Sequence, residues 1–372
     1  MSDPRSTPLR ERHEALGASF TDFGGWLMPV RYTSDLAEHH AVRQAAGLFD
    51  ISHMAEFIVE GTDAGAYLDY ALAGRVSSLP LGKAKYSLVL AESGGIVDDV
   101  IVYRLDESWF LVIANAGNRD AVAAALAARA ADFAGQVAVE DASDSFGLLA
   151  VQGPVARAVV AATEGIADLE SPLDELPYYA AVRGTFAGEP LLVARTGYTG
   201  EDGYELLVPA EVAGQLWDAL LAAGGGSGLV PAGLAARDTL RLEAGMPLYG
   251  HELSLEVLPA QAGLGRVVAA DKDDFVGKGG LGAVFASDAP VLVGLVAEGR
   301  RAGRAGYRVL DADGADVGEI TSGALSPTLG HPIAMAFVAP RASEPGTPLF
   351  LDVRGTRIPA TVTALPFYRR KK

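Results

Sequence analysis

Residues 86–117 constrain the fold more than any other stretch of the chain. Residues 86–90 form an apolar run closed by the turn Glu92-Ser93-Gly94-Gly95. A second run covers 96–105 and ends at Asp106-Glu107-Ser108, and a third covers 109–114. Three short apolar runs joined by turns of a few residues make an antiparallel meander, because a parallel arrangement would need long crossovers between them. A strong helical pattern follows over 121–133 and is closed by Gly135.

Two aspartates, Asp98 and Asp99, interrupt the second run among Ile96, Val97, Val100, Ile101 and Val102. Side chains alternate along a strand, so the two carboxylates face opposite ways, and at least one enters poorly solvated surroundings. A carboxylate there must be hydrogen-bonded or paired, or it protonates. The residues alone leave two readings open. One is a poised buried carboxylate of the kind found at functional sites; the other is a turn-capping aspartate followed by an edge-strand one. The Gly94-Gly95 turn is no phosphate loop, since it lacks both glycine-rich nucleotide patterns and leads into a strand.

Elsewhere the pattern mixes helices and strands. Residues 7–16 read as a short amphipathic helix, and 34–46 as a helix with Ser34 or Asp35 as N-cap. Residues 148–151 are strand-like, 155–162 helical, 190–196 and 204–208 strands, and 212–223 and 235–244 helices. From Pro290 onward, apolar runs at 291–297, 307–310, 317–321, 333–338, 348–354 and 358–364 alternate with Gly, Asp, Pro and Ser turns. That texture predicts a small all-β barrel or sandwich, with its boundary near 271–282. Antiparallel strands with interspersed helices predict an α+β chain, and 372 residues predict two or three domains.

Two further segments carry polar residues in apolar surroundings. The loop 197–203 holds three glycines, which predicts positive φ or close backbone approach, and it leads to Glu205 inside the run Tyr204, Leu206, Leu207, Val208. A glutamate there suits an amidine-like edge, two N–H groups meeting two oxygens, unless it merely faces solvent from a half-buried strand. In the helix 233–245, Arg237 and Arg241 lie four residues apart on one face. Asp238 can serve Arg241, leaving Arg237 to find Glu205 or a ligand, or to lie on a solvated face.

Other classes lose ground. The chain has no cysteine, which removes disulfides, thiolate nucleophiles and thiolate metal sites. The six histidines are dispersed with no metal-ligand spacing, and no G-x-S-x-G elbow appears. A net charge of −17 disfavours nucleic acid. No apolar run reaches the roughly 20 residues of a membrane span, and no secretory signal is visible, so a cytoplasmic protein is expected. Local positive charge sits at Arg300, Arg301, Arg304 and Arg308 and in the tail Arg369-Arg370-Lys371-Lys372. Each is an anion-meeting cluster or a solvated segment.

Taken together the chain resembles the glycine cleavage system T-protein family of aminomethyltransferases. The landmarks run almost end to end and in family order. They are Thr7-Pro8-Leu9, Gly25-Trp26-Leu27-Met28-Pro29-Val30-Arg31-Tyr32, Leu48-Phe49-Asp50-Ile51-Ser52-His53-Met54, the Gly94 to Asp99 turn and strand, and Asn115-Ala116-Gly117. They continue with Leu149-Ala150-Val151-Gln152-Gly153-Pro154, Arg195-Thr196-Gly197 through Glu205, the helix 233–245, Thr321-Ser322-Gly323 and Pro366-Phe367.

The resemblance implies a three-domain cloverleaf around a folate site. Its first domain would be 1–55 with 141–245, its second 56–140 with about 246–280, and its third a barrel or jelly-roll-like unit over 286–372. It also implies a reaction: an aminomethyl group on the lipoyl arm of H-protein gives its carbon to tetrahydrofolate, yielding 5,10-methylenetetrahydrofolate and ammonia, with no metal. Asp99 is then expected near folate N5 and N10. Glu205 and Tyr198 would hold the pterin's amino edge, and Arg237 would steady them or the folate. Met54, Tyr86, Ile101, Tyr103 and Asn115 are expected to line the pocket, Tyr368 and Arg369 to close over the folate tail, and Arg300, Arg301 and Arg304 to meet H-protein. Relatives often carry a tryptophan near Arg266, so a stacking wall for the folate is expected to be absent or replaced by a guanidinium face.

Two other readings share the same fold. One is a folate-dependent demethylase or the folate domain of a sarcosine- or dimethylglycine-oxidising enzyme, which usually follows a flavin domain. The other is a non-enzymatic folate-binding protein, whose group relies on a cysteine motif absent here.

Overall fold

The computed structural model describes residues 3–283 and 288–370; Lys371 and Lys372 of the basic tail lie outside them. The meander forms as its turns dictate. Strands Lys83–Leu90, Ile96–Asp106 and Trp109–Ala114 pair antiparallel, and Ala55–Glu60 and Ala138–Asp141 extend them into a five-stranded sheet. Gly95 is required by close approach: a Cβ there would lie 1.8 Å from the Leu255 carbonyl oxygen, and the neighbouring Ile96 N–H donates to Ser254. The segment around 254 is thereby sewn to the turn.

A seven-stranded sheet runs in the order Ile166–Ala167, Ala181–Phe186, Glu189–Ala194, Gly203–Pro209, Phe146–Gln152, Ala46–Asp50, Leu229–Pro231; only the last pairing is parallel. Its two faces are buried differently. Leu149, Val151, Tyr204 and Leu206 pack under helices Ala156–Ala162 and Ala210–Gly224 with Trp217. Leu148, Ala150 and Leu207, of opposite parity, pack with Tyr103, Leu111 and Ile113 of the five-stranded sheet. The far face of that second sheet, with Val100 and Val102, is covered by Tyr67, Leu68, Val122 and Leu126 from helices Ala64–Ala71 and Arg119–Asp132. Alternation in the strands thus creates an apolar layer between two sheets.

The six C-terminal runs form Val291–Ala297, Arg308–Leu310, Asp316–Leu325, Pro332–Val338, Pro348–Val353 and Thr356–Thr363, which close into a barrel. Helix Leu234–Glu243 joins the parts. Ala236 and Leu240 enter the inter-sheet layer, while Leu242 packs with Ala324, Ile333 and Met335 of the barrel. Its N-terminus sits tight on strand Trp26–Arg31, where a Cβ on Gly233 would lie 2.4 Å from the Val30 carbonyl, and buried Glu38 accepts the Gly233 N–H. Its last turn carries a buried network: Glu243 accepts from Arg43, Ser326 and Thr328, and Arg241 pairs with Asp238 and Glu252 and donates to Ser322. The Asp238–Arg241 pair is the one its i,i+3 spacing predicts. Helix 34–46 begins as expected, with Ser34 Oγ accepting the Ala37 N–H. Among the described residues no helix is long and apolar enough to cross a membrane.

Candidate active site

A cavity of about 320 Å³ opens at the edge of the inter-sheet layer. This is within the size range of small-molecule sites. Strand parity aims its polar groups. Val100 and Val102 pack on the helix side of their strand, so Asp99 and Ile101 point the other way, into the cavity. Glu205 pairs with Ala150 across the other sheet, on the face opposite Tyr204 and Leu206, and reaches the same space. Tyr198 and Arg237 reach it too, with Met54, Tyr86 and Asn115 around them.

Asp99 is held at both oxygens. Asn115 Nδ2 donates to Oδ1 at 2.8 Å, and the Tyr86 hydroxyl donates to Oδ2 at 3.0 Å. Burial raises its pKa, and these two bonds work against that rise. Asp98 lies on the opposite face, wholly buried, and is pushed up by burial and then by the charge of Asp99. Glu205 Oε2 accepts a 2.5 Å bond from the Thr196 hydroxyl, which in turn meets the Tyr103 hydroxyl at 3.1 Å. Burial raises Glu205 as well, opposed by the Thr196 bond and the charge of Arg237.

Of the partners expected for Arg237, Glu205 is not a direct one. Among the described residues its side chain makes no ion pair or hydrogen bond; its guanidinium lies over the Tyr198 ring, 4.9 Å from the centroid. Glu205 shares the cavity and acts on Arg237 only through its charge, so the two are not a direct pair. Tyr198 donates to the Pro247 carbonyl, which brings the 246–248 segment to the cavity wall. The glycines of 197–203 serve close approach: a Cβ on Gly197 or Gly203 would meet the Gln152 side chain at 2.0 or 2.3 Å.

One other expectation is corrected. Tyr103 does not line the cavity; it is buried behind Glu205 and braces Thr196. Tyr368 and Arg369 lie off the lining. The Tyr368 ring stacks under Arg43 at 4.0 Å, its N–H donates to the Glu243 carbonyl, and Arg369 is exposed. Arg266 supplies no guanidinium face, because Leu264 occupies that wall and Arg266 points to solvent. Arg300, Arg301 and Arg304 are exposed on the barrel, far along the chain from the lining residues.

Sequence reasoning missed several residues at the cavity. Phe23, from hairpin Ser19–Phe23/Trp26–Arg31, packs edge-on against His53 at 5.7 Å. His53 is held down to about 4 by burial and then by Arg237, and its Nδ1 has no partner among the described residues. Tyr179 and the Met246-Pro247-Leu248 segment also line the space. Only the landmark Leu48 to Met54 pointed near His53. Loop residues carry no periodic signal that would place them. A second cavity of about 270 Å³ adjoins the first, sharing Phe23, Tyr198, Arg237 and Leu248. Among the described residues no group of three or more His, Asp or Glu side chains is arranged to hold a metal.

Comparison with known proteins supplies the context for this geometry. The GCVT N-terminal domain family matches residues 9–272, and the glycine cleavage T-protein C-terminal barrel domain family matches 291–369. The chain is 56% identical to an aminomethyltransferase of Cutibacterium acnes and 54% identical to one of Saccharopolyspora erythraea, each over the full length of both chains. The crystal structure of glycine cleavage system aminomethyltransferase T from Bartonella henselae superposes with a TM-score of 0.89 at 38% identity, covering 99% of each chain.

Proposed function

Because the chain belongs to the glycine cleavage T-protein family and is an aminomethyltransferase, we propose that its cavity binds tetrahydrofolate beside Asp99 and receives the lipoyl arm of H-protein. The observation that carries this reading is the convergence of Asp99, Glu205, Tyr198 and Arg237 on one space from four separate elements. The reaction balances without an oxidant. The carbon leaves its sulfur and its amine and joins folate N5 and N10. The two protons displaced from those nitrogens end on ammonia and on the dihydrolipoyl thiol.

Each residue has a task that its surroundings support. Asp99, fixed by Tyr86 and Asn115, orients the attacking nitrogen and stabilises positive charge as ammonia departs. Glu205 accepts the paired N–H groups of the pterin, and Thr196 and Tyr103 hold its carboxylate in that aim. Arg237, with no ion pair among the described residues, is left to the folate and to the Tyr198 ring. Arg300, Arg301 and Arg304 form a basic exposed surface suited to an acidic carrier protein.

The test supplies chemically aminomethylated H-protein and tetrahydrofolate and follows methylenetetrahydrofolate and ammonia. Asp99→Asn keeps the shape of the side chain, so folate binding persists while turnover falls by ~10²-fold or more, the scale of a lost charge-stabilising group. Unchanged turnover in Asp99→Asn, or folate bound without any turnover by the wild type, refutes the assignment.

A further inference from the structure

We propose that Asp98 is a positioning residue for Asp99, acting through the Asn115 amide; the inference rests on the reading of Asp99 as the catalytic carboxylate. Asp98 faces away from the cavity and is 0% exposed. Among the described residues it pairs with no cation. It accepts three bonds from neutral donors: Asn115 N–H to Oδ2 at 2.9 Å, Asn115 Nδ2 to Oδ1 at 2.8 Å, and Asn118 Nδ2 to Oδ1 at 2.6 Å. A carboxylate buried this way is costly where packing alone is needed. Its geometry points to another task.

The Asn115 side chain has two amide hydrogens. One goes to Asp98 Oδ1 and the other to Asp99 Oδ1, each at 2.8 Å. In its ionised form, which the three donated bonds favour against the rise from burial and Asp99, Asp98 is acceptor-only, and such a neighbour decides which end of an amide turns toward it. With Asp98 in place, the Asn115 nitrogen must face the two aspartates, since the reverse orientation would set its oxygen against carboxylate oxygens. Asn115 also sits just past the end of strand Trp109–Ala114, where the strand pairing stops at Ile101–Ile113. Asp98 Oδ2 takes up the backbone N–H that the ladder leaves unpaired there. Asp98 therefore fixes the backbone and the amide of the residue opposite Asp99, and with Tyr86 on the other oxygen Asp99 has one orientation.

The test is a mutant cycle read in kcat and KM separately. Asp98→Asn keeps one acceptor oxygen and puts an NH2 at the other: at the Oδ1 position the NH2 faces the Asn115 and Asn118 amides, and at the Oδ2 position it faces the Asn115 N–H, so Asn115 loses a bond in either orientation. The expected result is a fall in kcat of about 10- to 100-fold, the scale of a small misplacement of a reacting group. KM for tetrahydrofolate and the stoichiometry of bound folate stay within about threefold and unchanged, respectively. In an Asp99→Asn background the second change costs nothing further, because there is no carboxylate left to aim. Additive losses, or a loss confined to KM, overturn the proposal. Wild-type kcat in Asp98→Asn beside an inactive Asp99→Asn overturns it while leaving Asp99 catalytic. Full turnover in Asp99→Asn removes both. Should Asp98→Asn fail to fold, Asn115→Ala removes the amide through which Asp98 acts, and an unchanged kcat there overturns the proposal equally.

Discussion

Glu243 ties the barrel to the rest of the chain, and its charge should be visible in the pH dependence of stability. It is 0% exposed at the end of helix Leu234–Glu243. It accepts from Arg43 of helix Asp35–Gln44 and from Ser326 and Thr328 of the barrel side. Burial alone would push its carboxyl up. The bond and charge of His39, the Ser326 hydroxyl and the Arg43 guanidinium outweigh that and hold it at about 2, against 4.5 ordinarily. A carboxyl depressed in the folded state adds stability that is fully present above pH 4.5 and is lost as pH falls toward 2. With each tenfold in proton affinity equal to about 1.4 kcal/mol, the contribution near neutrality is about 3 kcal/mol, of which about 1 remains at pH 3. Glu243→Gln keeps the size of the side chain and removes the charge. Urea unfolding of both proteins, followed by circular dichroism, should show the variant weaker by about 3 kcal/mol at pH 7, with the gap narrowing by about 2 at pH 3. Carboxylates common to both proteins cancel in the difference. A gap that stays constant between pH 7 and pH 3 refutes the assignment of this stability to the Glu243 charge.

Gly95→Ala forces a Cβ against the Leu255 carbonyl and should lower stability by about 1–3 kcal/mol, read as a fall in Tm; an unchanged Tm would mean the 254–255 segment moves freely from the turn. Arg237→Met removes the charge that, after burial, holds His53 at about 4. An NMR titration should therefore place His53 higher in the variant, and an unmoved midpoint would show that Arg237 does not act on it. Replacing Arg300, Arg301 and Arg304 by alanine should raise KM for H-protein several-fold at low salt and flatten its salt dependence, with KM for tetrahydrofolate unchanged. Salt dependence like that of the wild type would move the docking surface elsewhere.

Much of this molecule is legible in its residues because the signals are local. Turn chemistry at Gly94-Gly95 and Asp106-Glu107-Ser108 places three strands of the meander, and six apolar runs after Pro290 correspond to the six strands of the barrel. Alternation alone sends Asp98 and Asp99 to opposite faces, and the apolar neighbours of Glu205 mark it as buried, because period-two geometry needs no tertiary information. The order of landmark segments carried the family.

Tertiary structure decided what meets across the gap. That Asp99 and Glu205 share one cavity depends on how two sheets pack, and no spacing between residues 99 and 205 encodes it. Packing also put Leu264 rather than Arg266 on the wall, drew Tyr368 to Arg43, set Tyr103 behind Thr196, and left Arg237 beside Tyr198 instead of paired with Glu205. The meander fixed which aspartate faces inward; the end of the neighbouring strand, where Asn115 passes beyond its last partner, fixed what holds that aspartate there. Strand period is written in adjacent residues, whereas the pairing of a loop amide with two carboxylates exists only once the chain has closed on itself.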